Sequence, residues 1–532
     1  MLWLTPMSTR STSQEHSLSE TSGLNRWRLA SGRVLSIGVA LLFVAAYGPR
    51  LARSLWVDEA GTFWMAHEGL MPAIRKTLHW PGQSVLYSAI ASLFCLDGTP
   101  FRDELLRVPS LAGIAIGAYF LFRIAESRVG RGSGFVAVTL FLFHPGVYTV
   151  AFQARPYALA MAAVIASCWA LCEWETSRSR RHLLYYVIAL VLVIYLHYFF
   201  SVIAVVHALY LGFVFLVEKR RRRWSDTLWA GIAVLLLAIP LAPHLRLLVS
   251  ERHTLSYVRP PSLLNLTDSL APSLLWAGLL TAGILLASFF PLLQRDAGRL
   301  DRSFGVLLTS WWLAGPLLFF AVSRVTPMRI FVPRYLASAL AAQALLLAVV
   351  GCRLFGAGGA RVWAVVGVAL FAANPLLFER APDGKEVLLP VIRIVRGQAQ
   401  APVFFPSLLQ ESLFYDWRAG IRPDSYLFAP LVAYPIPNEF FPIPVAPTDD
   451  AKAYVDSLVN SRLNSVPEVL FVDKDELWES WIVDRLGRAG MIPEVQTEGS
   501  FKVFVFRRTG GRDLTGKRHP SGAGTPDSLQ SP

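Results

Sequence analysis

Charged residues are scarce in this chain, and cysteine is scarcer still. Only 16% of the 532 residues are Asp, Glu, Lys or Arg, whereas 54% are hydrophobic, which excludes an ordinary soluble protein. The four cysteines lie in apolar stretches without a CxxC pair, so neither a disulfide framework nor a zinc site is indicated. The composition therefore predicts a polytopic membrane protein in which each remaining charge has a specific place.

The basic residues are distributed in a way that indicates membrane topology. The formal net charge is +13, and the bases fall in short clusters between apolar runs, as in RSRR (178–181) and KRRRR (219–223). Such clusters mark cytoplasmic loops. We therefore expect no nucleic-acid partner.

The apolar runs are long enough to predict about eleven transmembrane helices, because a bilayer core needs about 20 apolar residues per helix. They are 34–50, 109–127, 133–150, 157–174, 183–200, 201–217, 227–245, 271–294, 303–322, 335–352 and 361–378. The positive clusters then lie on the side of a polar N-terminus (1–33), which we expect in the cytoplasm of a bacterial-type plasma membrane.

Two regions are expected outside. The apolar segment 84–97 is too short to span and is placed on the external surface, within a loop over 54–108. Residues 379–510 contain strand-like and helix-like stretches, including VPEVLFVD, ELWESWIVDRLGRAG and SFKVFVFRR. They predict a small extracytoplasmic α/β domain, followed by a disordered tail (511–532).

The external face collects polar residues that topology alone does not require, beginning with Asp58 and Glu59 in SLWVDEAGTFW (54–64). Two acids here would also suit the N-terminus of a helix. Arginines such as Arg107 and Arg155 would either extend their charged ends to the level of the lipid headgroups or bind a phosphate there. A histidine such as His197 is more often a hydrogen-bonded residue of an aromatic belt than a catalyst. Spacing alone leaves the function open.

Six stretches, read in order, resemble the successive motifs of GT-C superfamily membrane glycosyltransferases. They are SLWVDEA, HWPGQSVLY, LLRVPS, FHPGVYTVAFQARPYAL, YLHYF and PRYL, within about 34–355. The resemblance is to RgtA/B/C/D-like enzymes, relatives of the protein O-mannosyltransferases of glycosyltransferase family 39. It implies transfer of a sugar from a polyprenyl-phosphate donor to an acceptor on the extracytoplasmic face. That acceptor would be a glycan, a lipid or a protein.

The resemblance also implies roles for individual residues. Asp58 would be the catalytic base, with Glu59 in support or in metal binding, and a divalent cation (Mg or Mn) at Asp58 is possible. Donor phosphate and lipid contacts are assigned to Arg155, Arg107, Tyr157, Arg334 and Tyr335. Substrate contacts are assigned to His79, Gln153, His197 and Tyr198.

The chain departs from the family pattern where HWPGQSVLY replaces the usual HPPLYY, which puts the acceptor side of the site in question. Three other functions stay open. An O-antigen ligase or polymerase would use the loop at 246–270, which holds Arg252, His253 and Arg259. A flippase of lipid-linked sugars should carry charges near the bilayer midplane, where these spans have few. A non-catalytic scaffold would tolerate loss of Asp58.

Overall fold

The structure is a computed structural model that describes residues 38, 41, 43–45, 47–80, 82–95, 99, 101–217, 224–252, 258–271, 278, 301–372, 388–414 and 425–509. The chain divides into two compact units, Met1–Glu386 and Val387–Pro532. Several predictions lie wholly or mostly outside the described residues: the N-terminus 1–33, the span 271–294, the KRRRR cluster, His253 and the tail 511–532. The predicted span 34–50 is described only in part.

The first unit is helical throughout its described part, apart from connecting turns. Three short 3₁₀ turns lead directly into helices: Tyr198–Val202, Ile239–Leu241 and Pro333–Ala339. Its helices are α1 (Val57–Ala66), α2 (Leu70–Leu78), α3 (Val85–Ser92), α4 (Arg102–Arg128), α5 (Ser133–Leu142), α6 (Pro145–Ala151), α7 (Tyr157–Ser177), α8 (Arg180–Leu196), α9 (Ile203–Leu216), α10 (Trp224–Ala238), α11 (Ala242–Ser250), α12 (Leu263–Leu270), α13 (Arg302–Val325) and α14 (Leu340–Ala372).

Six helical segments of the described chain are long and apolar enough to cross a membrane, or seven if the bent pair α5 and α6 is one span. They are Arg102–Arg128, Tyr157–Ser177, Tyr198–Leu216, Ser225–Ser250, Arg302–Val325 and Pro333–Gly356. The polytopic helical class is thereby confirmed. The predicted span 183–200 forms the 17-residue α8, and α14 is broken at Gly356, whose φ of +63° is accessible to glycine. The count of eleven stays a prediction.

The bend between α5 and α6 follows from the sequence FHPG. The two helices meet at 64°, and Pro145 begins the second one, where its missing N–H costs no hydrogen bond. The side chain of His144 accepts the N–H of Gly146 at 3.0 Å, and its other ring nitrogen lies 2.8 Å from Gln343 Oε1. His144 is thus a hydrogen-bonded core histidine.

The predicted external loop contains three short helices, α1 to α3. The segment 84–97, which we placed on the membrane surface, forms the eight-residue α3. At 1.5 Å per residue this helix covers about 12 Å, far less than a bilayer core. Ser84 begins it by accepting the N–H of Tyr87 at 3.1 Å. Its position relative to the membrane stays a prediction.

Close packing of α4 against α7 positions the loop that carries Arg155. A Cβ added at Gly113 would lie 2.7 Å from the backbone carbonyl carbon of Ala158. Only glycine permits this approach without a shift of one helix. Because α7 begins at Tyr157, the contact also fixes the chain immediately before it.

The second unit contains a five-stranded mixed sheet. Its elements are α15 (Leu388–Gly397), β1 (Val403–Pro406), α16 (Ala429–Ala433), β2 (Phe440–Ile443), α17 (Asp449–Ser461), β3 (Glu468–Lys474), α18 (Glu479–Arg488), β4 (Met491–Glu498) and β5 (Phe501–Arg508). The strand order is β2-β1-β3-β5-β4. Strand β1 is parallel to β2 and to β3, whereas β5 is antiparallel to β3 and to β4. The strands β3 and β5 and the helix α18 coincide with the three stretches singled out in the sequence.

The second unit should lose stability as the pH rises from about 4 to about 6. Asp473 in β3 is wholly buried and accepts the N–H of Trp478 at 3.1 Å with each oxygen. Burial raises the pKa of Asp473 from 3.8 to about 6. The folded state therefore binds this proton more tightly than the unfolded state. The free energy of unfolding should fall by up to about 3 kcal/mol across this window.

Hydrogen exchange of the β3 amides in the full-length protein, corrected for intrinsic exchange rates, measures this effect. Asp473→Asn should flatten the pH dependence. A wild-type profile that rises over the same window would contradict the account.

Candidate active site

Glu59, in the first turn of α1, is fully engaged in hydrogen bonds. Its side chain is only 1% exposed. It accepts Arg107 Nε at 2.9 Å and Nη2 at 2.6 Å, the N–H of Ala154 at 2.7 Å and the N–H of Trp56 at 3.2 Å. The last bond is the reach-back contact expected of an acid near a helix N-terminus. One carboxylate thus ties α1, α4 and the loop before α7 together.

Arg107, on α4, completes this buried pair. Its guanidinium also donates to the carbonyl oxygens of Leu51 at 2.7 Å, Arg53 at 2.6 Å and Ser54 at 3.2 Å. At 3% exposure it does not line the cleft described below. The geometry favours a structural role for Arg107 over the phosphate contact that the sequence predicted. For Glu59, it favours a structural role over catalysis or metal binding.

Asp58 has different surroundings from its neighbour. Its side chain is 14% exposed, and its Oδ2 accepts Arg334 Nη1 at 3.0 Å. Arg334 lies 276 positions along the chain and is 30% exposed. Asp58 and Arg334 therefore form a partly accessible ion pair, whereas Glu59 and Arg107 form a closed one.

Arg155 joins this group through the backbone of Asp58. Its Nη1 donates to the carbonyl oxygen of Asp58 at 3.2 Å and to Gln83 Oε1 at 2.7 Å. Arg155 is only 6% exposed but lines the cleft, as does Gln83. Asp58 therefore contacts two guanidinium groups, that of Arg334 through its carboxylate and that of Arg155 through its backbone carbonyl oxygen.

A buried hydroxyl network holds the loop that presents Arg155. Ser110 Oγ lies 2.6 Å from the carbonyl oxygen of Gln153 and 3.1 Å from that of Arg155, and Tyr87 Oη lies 3.1 Å from Ser110 Oγ. The sequence predicted no role for Gln83, Tyr87 or Ser110. Their only signal was their presence in HWPGQSVLY and LLRVPS, the stretches that also contain His79 and Arg107.

Aromatic rings surround His197, at the break between α8 and the following 3₁₀ turn. Its ring centroid lies 5.2 Å from that of Tyr157 and 5.4 Å from that of Tyr335, while Tyr335 packs against Phe199 at 4.7 Å. The Nδ1 atom of His197 is buried without a hydrogen-bond partner. A buried imidazole nitrogen of this kind is available for a ligand hydroxyl.

These side chains line a cleft that is open to solvent, and about 560 Å³ of non-protein space, part of it continuous with the solvent, lies within it. Its polar lining residues are Gln83, Ser84, Arg155, Tyr157, Tyr195, His197, Tyr198 and Tyr335, and its other lining residues are Gly82, Pro156, Ile194, Leu196, Phe199 and Leu248. Five residues predicted for the site therefore meet here: Arg155, Tyr157, His197, Tyr198 and Tyr335. Tyr198 also forms a hydrogen bond to His244 Nδ1.

Two predicted substrate contacts lie elsewhere. His79 is exposed at the end of α2, where its Nδ1 lies 2.8 Å from the carbonyl oxygen of Arg75, and it does not line the cleft. Gln153 is not a lining residue either, although its Oε1 is buried without a hydrogen-bond partner. The structure therefore favours neither as a direct contact of a ligand in this cleft.

The acidic pair does not provide a set of ligands for a divalent cation. Among the described residues, no three of His, Cys, Asp and Glu come together. Both Glu59 oxygens already accept hydrogen bonds, and Asp58 contacts Arg334. The described residues therefore form no dedicated metal site, whereas Mg²⁺ commonly binds through one or two carboxylates together with a substrate phosphate. No step below depends on a metal.

Comparison with known families agrees with the motifs. Residues 84–246 match the family model described as dolichyl-phosphate-mannose-protein mannosyltransferase. The matched segment spans less than half of the chain, and it agrees with the resemblance of the motifs to GT-C superfamily membrane glycosyltransferases. The matched segment includes Ser84, Arg155 and His197, whereas Asp58, Gln83 and Arg334 lie outside it.

Two solved structures are similar to the chain: the crystal structures of ArnT from Cupriavidus metallidurans bound to undecaprenyl phosphate and in the apo state. Each has 12% sequence identity, with 90% of this chain and 98% of the ArnT chain covered, and the TM-scores are 0.49 and 0.48. No curated protein matches the chain significantly.

Proposed function

We propose that this glycosyltransferase moves a sugar from a polyprenyl-phosphate donor to an acceptor hydroxyl on the extracytoplasmic face, with Asp58 as the general base. The observation that carries the proposal is the partly accessible pair of Asp58 and Arg334 beside Arg155 and an aromatic cleft. The matching family is named for dolichyl-phosphate-mannose, which is itself a polyprenyl-phosphate sugar. The extracytoplasmic location follows from the predicted topology.

The chemistry needs one base and a site for a leaving phosphate. The acceptor hydroxyl attacks the anomeric carbon and transfers its proton to Asp58, while the bond from that carbon to the phosphate oxygen breaks. The lipid phosphate leaves with both bonding electrons. Direct attack opposite the leaving group inverts the anomeric centre, so a second carboxylate is unnecessary.

Arg155 and Arg334 supply the positive charge that meets the leaving phosphate. Negative charge on the phosphate grows in the transition state, and fixed guanidinium groups stabilise it there. Gln83 and Asp58 hold the two arginines through hydrogen bonds of 2.7 Å and 3.0 Å. The hydroxyl network of Tyr87 and Ser110 fixes the backbone of Arg155 from the other side. The site is therefore organised before the donor arrives.

The O-antigen ligase alternative receives no support from the described part of the loop 246–270. Arg252 and Arg259 are both exposed there, and neither lines the cleft. A flippase would not need the ordered contacts between Asp58, Arg334 and Arg155. The proposed function is tested directly by supplying the reconstituted protein with a labelled polyprenyl-phosphate sugar and measuring the sugar transferred to acceptor material together with the polyprenyl phosphate released.

Arg334→Gln should weaken productive use of the donor about 10- to 100-fold, because it removes a hydrogen-bonding cation from a phosphate, which contributes about 1.5–3 kcal/mol. The measurement is kcat/KM for a polyprenyl-phosphate sugar in proteoliposomes, and Arg334→Lys should recover part of the loss. The exposed Arg252→Gln is the matched control and should behave as wild type. Unchanged kcat/KM in Arg334→Gln would remove this arginine from the donor site.

A further inference from the structure

Two hydrogen bonds connect the cleft to a buried histidine that the proposed chemistry does not use. His244, on α11, is only 2% exposed. Its Nδ1 atom is hydrogen-bonded to the hydroxyl group of Tyr198, which is partly exposed and lines the cleft. Its other ring nitrogen, Nε2, lies 3.4 Å from the backbone carbonyl oxygen of Trp80. Each nitrogen of this imidazole therefore has a hydrogen-bond partner.

The carbonyl oxygen of Trp80 determines which ring nitrogen of His244 carries the hydrogen. A carbonyl oxygen accepts hydrogen bonds and does not donate them, so the hydrogen of a neutral imidazole lies on Nε2. A charged imidazole would lose its hydration at this degree of burial. The ring is therefore neutral, and its Nδ1 carries a lone pair. It follows that the Tyr198 hydroxyl donates its one hydrogen to Nδ1.

The Tyr198 hydroxyl is left with the capacity of an acceptor. Its hydrogen is used in the bond to His244, and within the described part of the chain no other side chain is bonded to its oxygen. A phosphodiester oxygen is also an acceptor, so it gains no hydrogen bond from this group. A ligand hydroxyl can donate one. Tyr198 thus differs from Arg155 in the same cleft, because a guanidinium group only donates.

We infer that the Tyr198 hydroxyl accepts a hydrogen bond from a hydroxyl group of the donor sugar or of the acceptor molecule, and that His244 is the positioning residue that fixes this polarity. The inference rests on the proposed function and assigns a hydroxyl subsite within the same cleft. Both sources present the same chemical group, and no covalent bond is formed or broken at this subsite.

The backbone of Trp80 also connects this subsite to Arg155. Its carbonyl oxygen accepts the N–H of Gln83 at 3.0 Å as well as His244 Nε2. The side chain of Gln83 in turn accepts Arg155 Nη1 at 2.7 Å. One short turn therefore contacts both the guanidinium group and the imidazole that directs the Tyr198 hydroxyl. A ligand with a phosphate and hydroxyl groups would find a hydrogen-bond donor and a hydrogen-bond acceptor in one cleft.

The test measures whether the cleft distinguishes a hydroxyl group from fluorine, which is similar in size but has no hydrogen to donate. Purified full-length protein in nanodiscs is titrated with short-chain polyprenyl-phosphate glucose, galactose and mannose, and with their deoxyfluoro analogues at C3, C4 and C6. Polyprenyl phosphate alone is the reference ligand. At one position, fluorine should weaken binding about 3- to 10-fold, as expected for one lost hydrogen bond.

Variants separate the polarity of the hydrogen bond from a general structural effect. Tyr198→Phe should abolish the preference for hydroxyl over fluorine and leave the affinity for polyprenyl phosphate within about twofold of wild type. His244→Phe should also abolish the preference, because the released Tyr198 hydrogen can then be donated to fluorine or oxygen. His244→Asn should keep it, because its amide oxygen occupies nearly the position of Nδ1. Tyr185→Phe, at an exposed tyrosine that does not line the cleft, is the matched control.

A second measurement tests the acceptor molecule as the source of the hydroxyl group. It applies if no fluorine substitution on the donor separates wild type from Tyr198→Phe. Transfer is then measured at saturating donor while the amount of envelope extract is raised. Tyr198→Phe should need about 3- to 10-fold more extract for half-maximal transfer, with the maximal rate unchanged, and His244→Asn should behave as wild type.

Tyr198→Phe with wild-type behaviour in both measurements would overturn the inference and leave the proposed function standing. An equal loss of affinity for hydroxyl ligands, fluoro ligands and polyprenyl phosphate in a folded His244→Phe protein would also overturn it, because His244 would then act through the fold alone. A preference for fluorine over hydroxyl would show the opposite polarity. If wild type binds no polyprenyl phosphate and transfers no sugar, the proposed function itself fails, and this inference fails with it.

Discussion

Asp58→Asn should lower sugar transfer about 100- to 10,000-fold, the range typical of a lost general base. Asparagine has nearly the same shape as aspartate but does not take a proton from an attacking hydroxyl. Donor binding should be retained or tightened, because Arg334 loses its carboxylate partner at 3.0 Å and becomes available to the phosphate. The transfer rate, measured in proteoliposomes, should therefore fall, whereas the donor affinity, measured separately, should be unchanged or higher.

The matched control is Asp103→Asn, on a nearby aspartate that pairs with Arg102 at the start of α4. It should leave transfer within about twofold of wild type, since substitutions away from special sites have small effects. Thermal unfolding of both variants tests whether the fold is intact. A folded Asp58→Asn protein that transfers sugar at the wild-type rate would exclude Asp58 as the base.

Glu59→Gln should destabilise the first unit by about 3–5 kcal/mol, the usual effect of removing one partner from a buried ion pair. The change leaves the Arg107 guanidinium charged and 3% exposed without its carboxylate. It also places an amide NH₂ group opposite a backbone donor, either the N–H of Ala154 at the Oε1 position or the N–H of Trp56 at the Oε2 position. The activity of this variant should fall in proportion to its folded fraction. Unfolding curves of the detergent-solubilised protein measure that fraction.

The double variant Glu59→Gln with Arg107→Met separates this structural role from catalysis. Removing both charges should recover part of the lost stability, because replacing both members of a buried pair is less costly than breaking it. Where the double variant is folded, it should retain measurable transfer. A Glu59→Gln protein as stable as wild type but inactive would contradict the structural role and restore Glu59 as a catalytic residue or a metal ligand.

The adjacent acids Asp58 and Glu59 show which features could be predicted from the sequence and which could not. Their position after an apolar run predicted a helix N-terminus, which occurs at the start of α1, and a catalytic site, which stays a prediction. Their different partners were not visible in the sequence, because successive residues of a helix point in different directions. Asp58 contacts Arg334 across 276 positions and Glu59 contacts Arg107 across 48. Only the tertiary fold determines which arginine meets which acid.

The arginines differ for the same reason. Arg107 and Arg155 were predicted alike as phosphate contacts, yet α4 carries Arg107 into a set of backbone carbonyls, and the loop before α7 carries Arg155 to the cleft. Gln83 and Ser110 could not be singled out from the sequence, because their importance comes from tertiary contacts with Arg155. The long apolar helices were the easiest elements to predict, because their composition alone excludes a soluble fold.

The most direct test of the account is to supply reconstituted wild-type protein with a doubly labelled polyprenyl-phosphate sugar, together with envelope extract as acceptor. We expect free polyprenyl phosphate to be released in the same amount as the sugar that appears, with inverted anomeric configuration, on acceptor material. Both products should be lost in Asp58→Asn. Intact donor that crosses the bilayer without cleavage, or cleavage and transfer that continue unchanged in a folded Asp58→Asn protein, would contradict it.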